Sequence, residues 1–293
     1  MDMNDLIRRI NRMSREVPAD APWRAPKANE WDRMTMKEFV DKTCWTSLAK
    51  TTAEIVVRSV FTAELHEISL LSFLWIVRSG DCLERLIQIE RGAQEQKIIG
   101  GAMQLSEKMA EELNVRLNAA VIKVEQVGEK YKVHTSTGDI YEGSYVISAI
   151  PQTLLNRIQF IPMLPALKFA MIQRVPVGSI IKTVSFYKEA YWRRAGFAGE
   201  MANDEGPVAY CIDDTKPDGS FPAIMGFILA DSSREVCEMS REERMKLVRV
   251  LFSAPIRVLN LILQKCISLG VTTDHVLVRL DSTENYDYSA RHI

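Results

Sequence analysis

The sequence predicts an α/β protein, and three observations carry that reading. Apolar residues recur at helical spacing from Met3 to about residue 78. Short alternating runs separated by Gly-containing turns follow between 115 and 149. Three strand-like stretches, 176–188, 207–213 and 222–230, then lie close enough in sequence to build one sheet. The chain has 293 residues, 47 % apolar and 26 % charged, which is enough to bury a sizeable core and suits two domains of ordinary size.

Met3, Leu6, Ile7, Ile10, Met13 and Val17 define a first helix over 3–17, which must stop before Pro18. The prolines of the next stretch, PADAPWRAPKANEW, favour an extended linker. Thr35 and Glu38 read as a capping box that opens a short helix to about Lys42. A helix over 47–61 carries Leu48, Ile55, Val56 and Val60 on one stripe, and a third over 64–78 is apolar nearly all round and so buried. From Gln88 the pattern reads strand, loop, strand, then Gly100-Gly101 leading into a helix to about Leu113. The double glycine either admits a ligand or neighbouring backbone closely, or simply packs a turn. Strands are expected over 115–117, 120–127, 130–135 and 139–149, with hairpin turns at Gly128-Glu129 and Thr137-Gly138. The run Tyr145 to Pro151, YVISAIP, reads as the end of a strand buried on both faces. In open sheets, ligands sit beyond such strand ends. Asp213 to Gly219 is turn chemistry, and its acidic pair reads as solvated. Ser240 with Glu243 opens a last clear helix to about Leu251. Beyond it the periodicity weakens, although 255–266 has the spacing of an amphipathic helix.

Composition and motifs exclude several classes. A net charge of −1 leaves no basic excess to draw nucleic acid. The five cysteines are widely spaced, with no CxxC, and the four histidines are scattered, so neither a disulfide scaffold nor a metal site is expected. The N-terminus does not read as a signal peptide. The most apolar run, Ile68 to Val77, is shorter than the roughly 20 residues a membrane helix needs. There is no G-x-G-x-x-G after a strand, no Walker A loop and no G-x-S-x-G elbow.

One residue stands out. Read as a strand, Arg174 to Trp192 places Ile180, Lys182, Val184 and Phe186 on one face and Ile181, Thr183, Ser185 and Tyr187 on the other. Lys182 is the one charge on the apolar face. It either snorkels out at a strand end or is held there for proton handling or to position a water, with burial lowering its pKa.

Seven stretches in order resemble the flavin-dependent monoamine oxidases: CWTSLAK with its preceding linker, TAELHEISLLSFLW, GAQEQKIIGG, YVISAIP, RVPVGSIIK, PVAYCIDDTKPDG and AIMGFILA. The resemblance covers about residues 1–251. It implies an FAD enzyme that oxidises a small-molecule amine to an imine, with oxygen reduced to hydrogen peroxide and the imine hydrolysing to an aldehyde. It also implies an α+β substrate domain interleaved with part of an FAD-binding flavoprotein domain. Residues 1–98 and 172–251 would belong to the substrate domain, 99–171 to the flavin domain, and 252–293 to a divergent tail. A homodimer and a place at the mitochondrial outer membrane are implied by the same analogy.

Residue by residue, the resemblance places Lys182 at the lysine that holds a water against the reactive flavin nitrogen. Gln94 matches a glutamine lining the substrate cavity, Leu86 and Ile87 its apolar gate and wall, and Tyr210 and Phe227 its aromatic residues. Ser59 and Val60 fall where relatives carry apolar lining, and Ser59 departs from that pattern. Val121 and the segment Ala149, Ile150 and Pro151 match backbone positions near the cofactor. The family's glycine fingerprint, flavin-bonding cysteine and membrane-anchoring helix are not recognisable in this sequence. An incomplete enzyme record is therefore expected, or alternatively a non-catalytic homologue that only binds.

Overall fold

A computed structural model describes residues 2–89, 91–203, 206–253 and 277–282. The chain forms two compact units, one discontinuous (1–96 and 178–293) and one continuous (97–177).

The first half of the discontinuous unit is helical: α1 (Asp2–Ser14), α2 (Ala28–Arg33), α3 (Met36–Thr43), α4 (Ser47–Phe61), α5 (Leu70–Ser79) and α6 (Leu83–Ile87). Leu6 and Ile10 of α1 pack with Trp31, Phe39, Val57, Phe73, Leu74 and Val77 in one apolar core. Each start has a local cause. Thr35 and Glu38 form the expected capping box on α3, Thr46 caps α4 and Ser69 caps α5. The linker is not extended: Pro22–Arg24 form a 3-10 turn and Trp31 is buried from α2. Proline at a first helical position preorganises the turn. On α4 the buried stripe is Ala49, Ala53 and Val57, not the larger residues expected, and Leu48 is exposed. Small residues there let neighbouring elements approach closely. The expected 64–78 helix begins only at Leu70, because Glu64 to Ser69 form a turn.

The second half supplies β5 (Ile180–Phe186), α9 (Tyr191–Arg194), β6 (Met201–Ala202), β7 (Val208–Asp213), β8 (Ala223–Leu229), α10 (Ala230–Cys237), α11 (Arg241–Ser253) and β9 (Leu277–Ser282). The strands form one antiparallel sheet in the order β6-β7-β8-β5-β9. One face carries Ile181, Val208, Cys211 and Ile228, packed with Val236 of α10 and Val248 of α11. Ser240 and Glu243 exchange the two hydrogen bonds of a capping box at the start of α11. The amphipathic stretch 255–266 lies outside the described residues.

The continuous unit holds α7 (Met103–Ala110), β1 (Val121–Val127), β2 (Lys130–Thr135), β3 (Ile140–Gly143), β4 (Gln159–Ile161) and α8 (Ala166–Arg174). Its sheet runs β3-β2-β1-β4, antiparallel except for the parallel β1/β4 pair. Three expectations fail here or just before it. Among the described residues no strand forms over 88–99 or 115–117, and β3 ends at Gly143, so YVISAIP is not a strand. Tyr145 is 88 % and Ile147 92 % exposed. An apolar run becomes a buried strand only beside strands that bond to it, and among the described residues none lies beside this one. The double glycine forms an exposed turn bridged by a side chain. Gly100 and Gly101 have φ of 83° and 90°, and Gln104 Nε2 donates to the carbonyls of Ile99 and Gly101 at 2.8 Å.

Candidate active site

β-Branched residues make β5 a strand, but its two faces are used in the opposite sense to the expectation. Ile181, Thr183 and Ser185 are buried, Ile180, Val184 and Phe186 are half-buried, and Lys182 is exposed. Thr183 can be buried because its hydroxyl donates to the Gly226 carbonyl at 3.2 Å. The described residues therefore do not bury Lys182, and desolvation by the sheet is not what distinguishes it. What does is the company it keeps on the open face.

Lys182 pairs with Phe227 on β8, and Phe227 pairs with Tyr210 on β7. Direct cross-strand partners share a face, so an ammonium, a phenyl ring and a phenol stand in one row across three strands. Adjacent strands lie about 4.8 Å apart, so the row is about 10 Å long at the backbone. A β-bulge makes this row. Val208 pairs with Ile228, yet the next pair is Tyr210 with Phe227, leaving Ala209 as the extra residue. Without the bulge, Ala209 would oppose Phe227 and Tyr210 would turn to the other face. The same shift places Cys211 in the core, where burial pushes its thiol up to about 12 and keeps it protonated. Tyr210 is half-buried and donates its hydroxyl to Glu200 Oε1 at 2.6 Å. Burial first, then that bond, hold the phenol well above its usual range.

The other residues on the discontinuous unit cluster around α4, which packs against both α6 and β7. Ser59 is exposed and donates to the Ile55 carbonyl at 2.7 Å, while Val60 is half-buried beside it. Leu86 and Ile87 on α6 lean on the helical core. Gln94 is exposed, and its Nε2 donates to the Leu86 carbonyl at 2.9 Å, folding its loop back onto α6. The structure thus gives three local groups: the Lys182–Phe227–Tyr210 row, the end of α4, and α6 with Gln94.

Val121 opens β1 on the continuous unit and is exposed. Ala149, Ile150 and Pro151 do not end a strand; they are exposed, and Pro151 precedes a 3-10 turn over Gln152–Arg157. Sequence reasoning missed Glu200 and the bulge at Ala209, since neither carries a motif. It passed over the role of Gly178, whose place just before a strand is the one available signal.

The residues fit a flavin in part. A half-buried aromatic row beside an exposed ammonium suits the edge of a flat heteroaromatic ring. A diphosphate is well held by a glycine-rich turn at a helix N-terminus, and the sequence carries no G-x-G-x-x-G to build one. Among the described residues no group of three or more His, Cys, Asp or Glu is placed to hold a metal ion, and no helix is long and apolar enough to cross a membrane.

Known proteins resemble this chain over most of its length. The chain is 47 % identical over 257 residues to amine oxidase [flavin-containing] B of Homo sapiens, which covers 86 % of the chain and 49 % of that protein. It is 44 % identical over 257 residues to an amine oxidase [flavin-containing] of Oncorhynchus mykiss, again covering 86 % and 49 %. The chain therefore spans about half the length of the curated relatives it matches. Among solved structures, wild-type putrescine oxidase bound to putrescine superposes with a TM-score of 0.78 at 25 % identity, over 85 % of this chain and 56 % of that one. The family described as flavin containing amine oxidoreductase matches residues 1–254, and the chain belongs to it.

Proposed function

We propose that this chain carries the substrate-recognising part of an FAD-dependent amine oxidase acting on primary amines. On this reading residues 1–98 and 172–251 form the substrate domain and 99–171 part of the flavin domain. The reaction joins a primary amine, oxygen and water to give an aldehyde, ammonia and hydrogen peroxide. When bound, the flavin supplies the two-electron redox chemistry. The chain's own residues do the rest. Phe227 and Tyr210 present apolar ring faces that favour the neutral amine over its ammonium. Gln94, Leu86, Ile87, Ser59 and Val60 shape the remaining wall. The ammonium of Lys182 donates a hydrogen bond to a water beside the reacting atoms and holds it in place. Val121 and Ala149 to Pro151 are the continuous unit's own residues that would hold the cofactor. The homodimer and the mitochondrial outer membrane implied by the family resemblance complete the reading.

The observation that carries it is the Lys182–Phe227–Tyr210 row, set in place by the bulge at Ala209. The test is Lys182→Met in the longest protein that contains this chain. Peroxide formation should fall by about 10²-fold or more, as for loss of a group that manages a proton or water. Bound-flavin absorbance should be unchanged. Undiminished turnover would refute the role of Lys182.

A further inference from the structure

Lys182 is only as well placed as the start of its strand, and that start is held by a ring of side chains well away from the lysine. The junction itself is a set of backbone bonds. Thr62, with φ 52°, ends α4, and its carbonyl accepts from Ser179 N at 2.8 Å. The Ser179 carbonyl accepts from Ala230 N at 2.9 Å, and Ser179 Oγ donates to Ser233 Oγ at 3.1 Å. Three elements meet at Ser179: the end of α4, the start of β5 and the start of α10.

Two carboxylates from the turn after Thr62 tie these elements together from outside. Glu64 is buried. Its Oε2 accepts from Arg58 Nε at 2.9 Å and pairs with Nη2 at 2.8 Å, and its Oε1 accepts from Asp231 N at 3.2 Å. Asp231 N is one of the unpaired donors at the head of α10, and Leu229 at the cap has no side-chain bond to offer. Glu64 thus caps a helix 167 residues away in sequence. Glu67 accepts from Glu64 N at 2.7 Å through Oε2, and both its oxygens accept from Arg234 Nη2 at 2.9 Å. Arg234 closes the ring by pairing with Asp231.

We propose that Glu64, Glu67 and Arg234 are positioning residues that fix Lys182 relative to the end of α4, where Ser59 and Val60 lie. The proposal rests on the reading of Lys182 above. It makes a claim about geometry, however, that holds or fails apart from turnover. The side chains hold α10 and the α4–α5 turn together, and Ser179 is gripped between them three residues before Lys182. Releasing either carboxylate lets the start of β5 shift while the strand interior stays bonded to β8.

The test uses the 293-residue chain, with amide exchange and the Lys182 side-chain nitrogen signal followed by NMR, the latter assigned through Lys182→Arg. In Arg234→Ala and Glu67→Gln, amides of Ser179, Ala230 and Asp231 should exchange at least tenfold faster. Amides within α5 and the middle of β8 should keep their rates, and the Lys182 signal should move or split. Arg234→Lys should recover part of the effect. Arg234 and Glu67 are partly exposed, so these variants keep their fold even if Glu64→Gln does not. Acceleration everywhere alike would mean general destabilisation and would overturn the proposal. So would a Lys182 signal that stays put while the junction amides open, or no change at all. A positive result together with unaltered turnover in Lys182→Met would retain the clamp and reject the catalytic reading.

Discussion

A methyl group at position 178 would lie 1.9 Å from Thr62 Oγ1 and 2.7 Å from the Phe61 carbonyl oxygen. The hydroxyl can rotate away, but the carbonyl belongs to the last turn of α4 and cannot move alone. Gly178→Ala should therefore destabilise the chain by about 1–3 kcal/mol, the usual cost of overpacking. Adding Thr62→Ala should recover only part of that loss. Urea midpoints measure both effects, and a Gly178→Ala midpoint equal to the parent would show that the two segments do not approach so closely. The same residue explains a sequence feature that motif reading left idle, since a glycine just before a strand need not be a turn. The bulge at Ala209 teaches the converse. Nothing in PVAYCID announces an extra residue, yet that residue decides whether Tyr210 faces the site or the core.

Elements are joined by polar groups that the sequence presents as ordinary surface. Asp213, read as part of a solvated turn, accepts from Trp192 Nε1 and Thr215 N at 2.8 Å each, and from Arg193. It anchors α9 to the end of β7. Burial alone would raise its carboxyl, but the bonds from Arg193, Thr215 and Trp192 outweigh burial and hold it below the usual range. A depressed carboxyl stabilises the fold above its unfolded pKa, and this contribution is lost as pH falls through the folded value. Asp213→Asn should thus lose about 1–3 kcal/mol at pH 7 and show a flatter loss of stability in acid than the parent. Equal slopes for the two proteins below pH 4 would contradict the anchoring role. What could be read from the sequence at this scale was what is decided locally. The Thr35 and Ser240 boxes, the α4 span and the strands at 180–186, 208–213 and 223–229 need only neighbours a few residues away or a clear period. The failures were decided at long range. YVISAIP has the composition of a central strand and lacks a neighbour, while α10 owes its head to Glu64 and shows no capping residue of its own. Lys182 itself could be singled out from alternation; the row it shares with Phe227 and Tyr210 became visible only from strand register.

At the scale of the molecule, the two units differ in how completely they cover their own apolar groups. The discontinuous unit closes two cores, one among its helices and one under its sheet. The continuous unit leaves Ile99, Leu117, Tyr145, Ile147 and Leu167 more than four-fifths exposed. Without a G-x-G-x-x-G turn, it offers little to grip a diphosphate. The 293-residue chain produced with excess FAD and then desalted should be nearly colourless. A flavin band near stoichiometry would show that these residues build a cofactor site by themselves.

The interruption of one unit by the other also sets a timetable. Residues 1–96 leave the ribosome before the inserted unit, but the partners of Thr62 and Glu64, the backbone amides of Ser179 and Asp231, follow only after it. Roughly eighty residues of the inserted unit must be made in between, about 4–16 s at typical elongation rates. During that interval the helical half waits with the carbonyl at the end of α4 and the Oε1 oxygen of Glu64 without the partners they take in the folded unit. A nascent chain stalled near residue 177 would therefore be the form most in need of a chaperone, and release of that chaperone should follow the emergence of Arg234.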